Sequence, residues 1–210
     1  MSEPPSNAWE PWFKGKQFTS DWATDRFAVW TSVLGDLADQ HVDILEIGSW
    51  EGRSAIFFLE YLPHSRITCI DTFEGSPLLR SIPKWNAAIP YAQHRFDLNL
   101  LPYGDRVEKI CSHSIPALFA LFRAARCFDL IYIDGSHERD DVLMDSILSW
   151  RLLNENGILI WDDYTFQSAR PPKPAIDIFL AMNADDLTEI HRGKQLIVRK
   201  HASARSADGV

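Results

Sequence analysis

Hydrophobic and polar positions follow two different periods along most of this chain. Short apolar runs fall at 42–47, 66–71, 106–110, 128–133 and 157–162, and between them lie stretches near 52–62, 90–100, 114–125 and 138–153 with apolar residues three or four apart. The runs predict strands and the periodic stretches predict helices. Regular alternation of the two predicts right-handed βαβ units, hence an α/β chain with a mainly parallel sheet and helices on both faces. Two further strand candidates, 187–191 and 195–199, are joined by Arg192-Gly193-Lys194, which reads as a hairpin turn and adds an antiparallel edge strand. Seven strands are expected in all. Before the first of them, Trp22, Phe27, Trp30, Val33, Leu34 and Leu37 recur at helical spacing and predict a leading amphipathic helix over about 21–39.

Three segments lack a clear period. Residues 1–19 are rich in Pro and Trp and read as an irregular arm whose Trp9, Trp12 and Phe13 need a surface to dock on. A second subunit would provide one, so the arm points to a homodimer. Residues 72–90 carry Gly75, Pro77, Pro83, Trp85 and Pro90 and directly follow the second strand, as a mobile lid or substrate loop would. The bland reading is a surface connection. Residues 201–210 are small and polar and read as a disordered tail. The remainder, 20–200, is expected to fold as a single domain.

Composition narrows the function. A chain of 210 residues that is 46% hydrophobic can bury one sizeable core. Its net charge of −8 argues against a sequence-independent grip on nucleic acid or on an anionic membrane, both of which need clustered cations. A small-molecule substrate is expected instead. Cys69, Cys111 and Cys127 are scattered and lie in or beside apolar runs, which predicts buried free thiols and a reducing compartment. Met1-Ser2-Glu3-Pro4-Pro5 lacks a basic start and an apolar core, and no apolar run approaches the roughly 18 residues of a membrane span. These features predict a cytoplasmic protein.

Three carboxylates carry the strongest chemical signal. Ile131-Tyr132-Ile133-Asp134 and Ile158-Leu159-Ile160-Trp161-Asp162-Asp163 are apolar runs that stop abruptly in acid, as buried strands do at the carboxyl edge of a parallel sheet. Open α/β sheets place their ligands at that edge. If the two strands are neighbours, Asp134, Asp162 and Asp163 converge, and such oxygen ligands suit a hard divalent cation such as Mg²⁺. The bland alternative is that Asp134 only orients cofactor or substrate while Asp162 and Asp163 are solvated strand-end acids. Ser136 reads as the N-cap of the following helix, and Glu138, Asp140 and Asp141 as first-turn acids that favour its dipole. Trp50, Trp161 and Tyr164 border the same edge, either shaping a substrate face or packing.

A second motif lies at the first strand. Glu46-Ile47-Gly48-Ser49-Trp50-Glu51-Gly52-Arg53-Ser54 reads as strand, glycine-bearing turn and helix start, where backbone amides can meet the polar groups of a ligand. It is not the G-x-G-x-x-G fingerprint of dinucleotide binding. The second strand ends at Asp71, about 20 residues further on, where a carboxylate can take both ribose hydroxyls. Turn and carboxylate together suggest an adenosine ligand; plain turn glycines and a capping aspartate are the alternative.

These segments, with Ile70-Asp71-Thr72-Phe73-Glu74-Gly75 and Ile133-Asp134-Gly135-Ser136-His137, resemble class I S-adenosylmethionine-dependent methyltransferases. Within that class they are similar to the small-molecule O-methyltransferases that include catechol-like, sugar and antibiotic-tailoring enzymes. The resemblance covers about residues 42–165 and implies a Rossmann-like methyltransferase fold. It assigns Glu46, Gly48, Ser49 and Gly52 to the methionine part of S-adenosylmethionine and Asp71 to the ribose, and places Trp50 and Ser54 of the same stretch among the cofactor-binding residues. Ser112, His113 and Ser114 match the segment beside adenine, although His113 also reads as a solvated loop histidine. Asp162 and Asp163 follow Asp134 by 28 and 29 residues, an interval that resembles the spacing of the metal-binding acids in that group. His137 resembles the position where catechol-type enzymes keep a lysine base, and histidine titrates near working pH. Two departures stand out: Asp162-Asp163 where catechol-type enzymes have Asp-Asn, and His in place of Lys.

The leading expectation is therefore a Mg²⁺-assisted O-methyltransferase that uses S-adenosylmethionine on a small-molecule hydroxyl, such as a sugar or natural-product glycoside. Asp134, Asp162 and Asp163 would hold the metal, Asp134 would also lie beside the cofactor, and His137 or Asp134 would act as base. A metal-independent methyltransferase of the same fold, a nucleotide-dependent oxidoreductase and a non-catalytic binding relative are the competing readings.

Overall fold

A computed structural model describes residues 8–202. Residues 1–7, and all but two residues of the expected disordered tail, lie outside the described residues. The seven expected strands all form and belong to one mainly parallel sheet. The chain divides into two compact units, 1–117 and 118–210.

The first unit carries β1 (Asp43–Ile47), β2 (Arg66–Asp71) and β3 (Val107–Cys111) in the order β3-β2-β1, all parallel. Ile47 is paired with Ile70 and Asp71 with Cys111, so the strands end level with one another. Helix α1 (Glu10–Phe13) lies in the arm, α2 (Phe27–Leu34) precedes β1, and α3 (Arg53–Tyr61) joins β1 to β2. The leading helix is shorter than its periodicity predicts. Single 3-10 turns at Thr24–Arg26 and Gly35–Leu37 flank α2, and Phe27, Trp30, Leu34 and Leu37 are buried, whereas Trp22 is 43% exposed. The arm's aromatic residues dock within their own unit. Phe13 stacks on Phe27 at 5.7 Å, and Trp9 and Trp12 meet the Phe57 ring at 5.6 and 5.8 Å, so the arm offers no argument for a second subunit.

The stretch 72–90 is largely helical rather than a lid of irregular chain. Helix α4 (Pro77–Ser81) is followed by α5 (Pro83–Leu100). Pro77 and Pro83 each open a helix, where a missing N–H costs nothing and a fixed φ helps, so the prolines that suggested a loop are start signals. Ser76 completes the first start by accepting from the Leu79 amide at 3.3 Å.

The second unit holds β4 (Phe128–Ile133), α7 (Arg139–Leu152), β5 (Leu153–Trp161), α8 (Lys173–Met182), β6 (Leu187–Arg192) and β7 (Leu196–Lys200). The boundary between the units falls inside α6 (Ser114–Arg123). Strand order here is β4-β5-β7-β6. β4 and β5 are parallel neighbours, with Ile133 opposite Trp161. β6 and β7 form the expected hairpin, closed by the Gly193 amide on the Gln195 carbonyl at 2.8 Å. β7 is the antiparallel strand and lies between β5 and β6, one place in from the edge. Among the described residues no helix is long and apolar enough to cross a membrane. Of the cysteines only Cys69 is buried; Cys111, at the end of the outer strand β3, and Cys127, before β4, are exposed.

Candidate active site

In the first unit, the turn after β1 is held by Asp71. One oxygen of its carboxylate accepts from the amides of Ser49 at 2.8 Å and Trp50 at 2.7 Å, and the other accepts from the Phe73 amide at 2.7 Å. Those bonds explain how the backbone keeps an unusual shape here. Trp50 and Phe73 both have positive φ, 47° and 56°, a region that bulky side chains rarely adopt. Gly48 and Gly52 are also left-handed, at 87° and 81°. At Gly52 a Cβ would lie 3.0 Å from Leu100 Cδ2 and 3.3 Å from Phe96, so a glycine is required both by its φ and by the packing of α5. Asp71, read from the sequence as a ribose ligand, is thus also the lock of the first turn.

Glu46 lies beneath that turn and is fully buried. Its carboxylate accepts from the Ser54 hydroxyl and, at 3.5 Å, from the Cys69 thiol, which ties α3 and β2 to β1. Burial pushes Glu46 up to about 7 and the Cys69 thiol well above its ordinary value. Ser54 and Glu46 therefore face each other. The Ser112 amide bonds to the Asp71 carbonyl at 3.1 Å, which places Ser112, His113 and Ser114 at the same strand edge; the His113 side chain is exposed.

Sequence reading missed a clasp around this turn. Glu51 is buried and ion-paired to Arg95 of α5 at 2.7 Å, while its carboxylate takes both the amide and, at 2.6 Å, the hydroxyl of Thr19 from the arm. Asn99 of α5 continues it, accepting from the Gln17 amide at 2.8 Å and donating to the carbonyls of Gln17 and Glu51 at 2.9 Å. Glu51 stands inside the quoted motif, but its partners are 32 and 44 residues away and nothing periodic marks them.

In the second unit, the carboxyl ends of β4 and β5 form a small recess lined by Ile133, Asp134, His137, Asp162, Asp163 and Pro172, among others. Ligand atoms of Asp134, His137 and Asp163 all lie within 4.8 Å of one another. His137 Nε2 is 3.3 Å from Asp163 Oδ2 and 4.0 Å from Asp134 Oδ1. Tyr132 donates its hydroxyl to Asp134 at 3.0 Å. Asp163 has φ of 54°, and its carbonyl accepts from the Phe166 amide at 2.8 Å, closing a turn that sets the Phe166 ring edge-on to His137 at 4.9 Å. The strained turn therefore presents both the carboxylate and the ring that fixes the imidazole.

Asp162 is placed differently from its neighbour. It is buried and accepts from Gln195 Nε2 of the hairpin at 2.8 Å, outside the group formed by Asp134, His137 and Asp163. Ser136 does not cap α7 directly: its hydroxyl accepts from the Glu138 amide at 3.2 Å and donates to Asp141 at 2.7 Å, ordering the loop that carries His137. Trp161 is fully buried with its indole N–H on Ser146 at 2.8 Å, and buried Tyr164 bonds Asp177 at 2.7 Å; both are packing residues.

The fold is that of a Rossmann-like α/β protein with polar and acidic side chains gathered at the carboxyl ends of its strands. A family profile described as "Methyltransferase domain" matches residues 45–164, more than half of the sequence. The chain belongs to that methyltransferase family. Its fold is shared with the MycE methyltransferase from the mycinamycin biosynthetic pathway, solved with Mg, S-adenosylhomocysteine (SAH) and mycinamycin VI, at a TM-score of 0.64 and 16% identity over 99% of this chain. The chain spans 57% of MycE's length. CalS11, a calicheamicin methyltransferase, aligns at TM-score 0.61 and 16% identity over 92% of this chain and 83% of its own. An O-methyltransferase from Bacillus cereus solved with SAH aligns at 0.59 and 18% identity over 88% and 84%. No curated protein matches the chain by sequence.

Proposed function

We propose that this protein is an S-adenosylmethionine-dependent O-methyltransferase acting on a hydroxyl of a small molecule, with a divalent cation in the second unit. The observation that carries the reading is the grouping of Asp134, His137 and Asp163 in one recess. Methyl transfer to an alkyl hydroxyl needs a group to take the hydroxyl's proton, and two carboxylates with an imidazole supply both a base and a cation site.

The residues fit both implied ligands. In the first unit the buried Trp50 indole N–H, which has no hydrogen-bond partner among the described residues, suits the polar end of an adenosyl amino acid, beside a glycine turn whose Ser49 and Trp50 amides are already taken by Asp71. Asp71 would take the ribose through lone pairs left over from the turn, with Ser112 to Ser114 beside the adenine. In the second unit the two carboxylates, Asp134 and Asp163, suit Mg²⁺ or a similar hard ion. Asp134 and Asp163 would hold it, and when bound it supplies the positive charge that lowers the pKa of an acceptor hydroxyl. His137 would take the proton of the acceptor hydroxyl, and Asp163 would orient the imidazole. MycE, solved with Mg, SAH and mycinamycin VI from the pathway it serves, supports a natural product as acceptor class. The free cysteines are consistent with a cytoplasmic setting.

Calorimetric titration with SAH, with NAD⁺ as control ligand, tests the reading. Micromolar binding of SAH alone is expected, followed by transfer of a radiolabelled methyl group from S-adenosylmethionine to glycoside hydroxyls that EDTA suppresses. Binding of NAD⁺ without SAH would overturn the reading in favour of an oxidoreductase.

A further inference from the structure

Of Asp134, His137 and Asp163, only Asp163 has a left-handed backbone, with φ of 54°. A residue with a side chain costs roughly 1–2 kcal/mol in that region and stays there where its surroundings over-determine it. Both sequence neighbours of Asp163 are held by one piece of chain, the turn of the β6–β7 hairpin. Register brings that turn into reach. Leu196 is paired with Trp161, the last residue of β5, on one side and with Arg192, the last residue of β6, on the other, so residues 193–195 lie level with the end of β5. At one end of the turn Gln195 donates to the buried Asp162 carboxylate at 2.8 Å. At the other end Arg192 donates to the Tyr164 hydroxyl.

That hydroxyl has its full set of partners. It donates to Asp177 at 2.7 Å and accepts from Lys173 at 2.6 Å and from Arg192, one donor and two lone pairs all in use. Lys173 Nζ also lies 4.4 Å from the centre of the Tyr164 ring and Arg192 Cζ 5.2 Å from it, so the two cations hold the ring as well as its oxygen. The ring packs in the core, and the hydroxyl ties the chain just after Asp163 to α8 and β6. We propose that the hairpin turn clamps the candidate cation site: Gln195 acting through Asp162, and Arg192 acting through Tyr164, are positioning residues that hold the Asp163 carboxylate beside His137 and Asp134. The inference rests on the cation reading above and adds to it a segment of the chain that acts only through the two neighbours of Asp163.

The test measures Mn²⁺ affinity by electron-spin titration, with SAH affinity and melting temperature followed in the same variants. Tyr164→Phe, Arg192→Met and Gln195→Leu should each weaken Mn²⁺ by about three- to tenfold, the range of one hydrogen bond, and leave SAH binding unchanged. Arg192 is 45% exposed, so its variant keeps the test open if the change at buried Gln195 prevents folding. Tyr164→Phe combined with Arg192→Met should lose little more than either alone, because both break one contact. Glu189→Gln, which breaks the ion pair of Arg192 with its own strand, should leave Mn²⁺ affinity unchanged. Unchanged Mn²⁺ affinity in Tyr164→Phe and Arg192→Met, whatever their melting temperatures, would mean that the hairpin only packs, and an equal loss in Glu189→Gln would mean that any loosening of the sheet edge is enough; either overturns the inference and leaves the cation reading intact. Failure of the unaltered protein to bind Mn²⁺ overturns both.

Discussion

His137 Nε2 lies 3.3 Å from Asp163 Oδ2, with 32% and 26% of the two side chains exposed, so the imidazole is held by a carboxylate yet open to a ligand. An oriented imidazole of this kind contributes roughly 10²- to 10⁴-fold to proton-transfer steps. His137→Gln should lower the methyl-transfer rate by a factor in that range while the dissociation constant for SAH stays the same. A rate within threefold of the parent would remove His137 from the chemistry.

Asp162 and Asp163 are adjacent in sequence but differ in their surroundings, and the difference is measurable. Asp163 belongs to the group within 4.8 Å, whereas Asp162 is buried against Gln195. Asp163→Asn should abolish binding of Mn²⁺, used as a paramagnetic stand-in for Mg²⁺, in an electron-spin titration. Asp162→Asn should retain a bound signal and instead lower thermal stability, because a buried partner of the hairpin is altered. Identical metal loss in the two variants would show that both acids are ligands.

Asp71 holds three amides and two left-handed bulky residues, so its loss is expected to act on stability as well as on binding. Asp71→Ala should cost about 2–4 kcal/mol in urea unfolding, since it strands buried donors and frees the strained turn. It should also weaken SAH strongly. A variant that binds SAH poorly at unchanged stability would separate a ribose role from the lock.

Glu46 sets a pH dependence. Its carboxyl is pushed up to about 7 in the folded protein from an ordinary 4.5, so the folded state binds its proton more tightly than the unfolded chain does. That contribution to stability is complete below about pH 4.5 and is lost as pH rises through 7, on the order of 3 kcal/mol in all. Glu46→Gln, which keeps an acceptor for Ser54 or Cys69, should flatten the profile and make the variant relatively more stable at pH 8 than at pH 5. Parallel profiles for the two proteins from pH 5 to pH 8 would rule this out.

Much of the architecture was legible in the sequence. The seven apolar runs, the glycine turn and the acids at strand ends each have a local cause, whether period, backbone freedom or the abrupt end of burial, and each was found at or within a few residues of its expected place. The stretch 72–90 is helical where its prolines predict a loop, because proline opens helices as well as breaking them, and Ser76, Pro77 and Pro83 stand at such starts. Cys111 and Cys127 are exposed although they adjoin apolar runs, because Cys111 ends an outer strand and Cys127 lies in a connection.

What the sequence determined by itself is the family, the strand framework and the residue types brought to its carboxyl edge, because these follow from local pattern and contiguous motif. Which of those side chains meet is fixed only by the folded arrangement. Asp163 joins His137 while Asp162 turns to Gln195, and Glu51 reaches Thr19 and Arg95 across 32 and 44 residues. Side-chain pairing of this kind depends on register, on a left-handed residue at one strand end and on where a later helix packs, and none of these leaves a periodic trace in the chain.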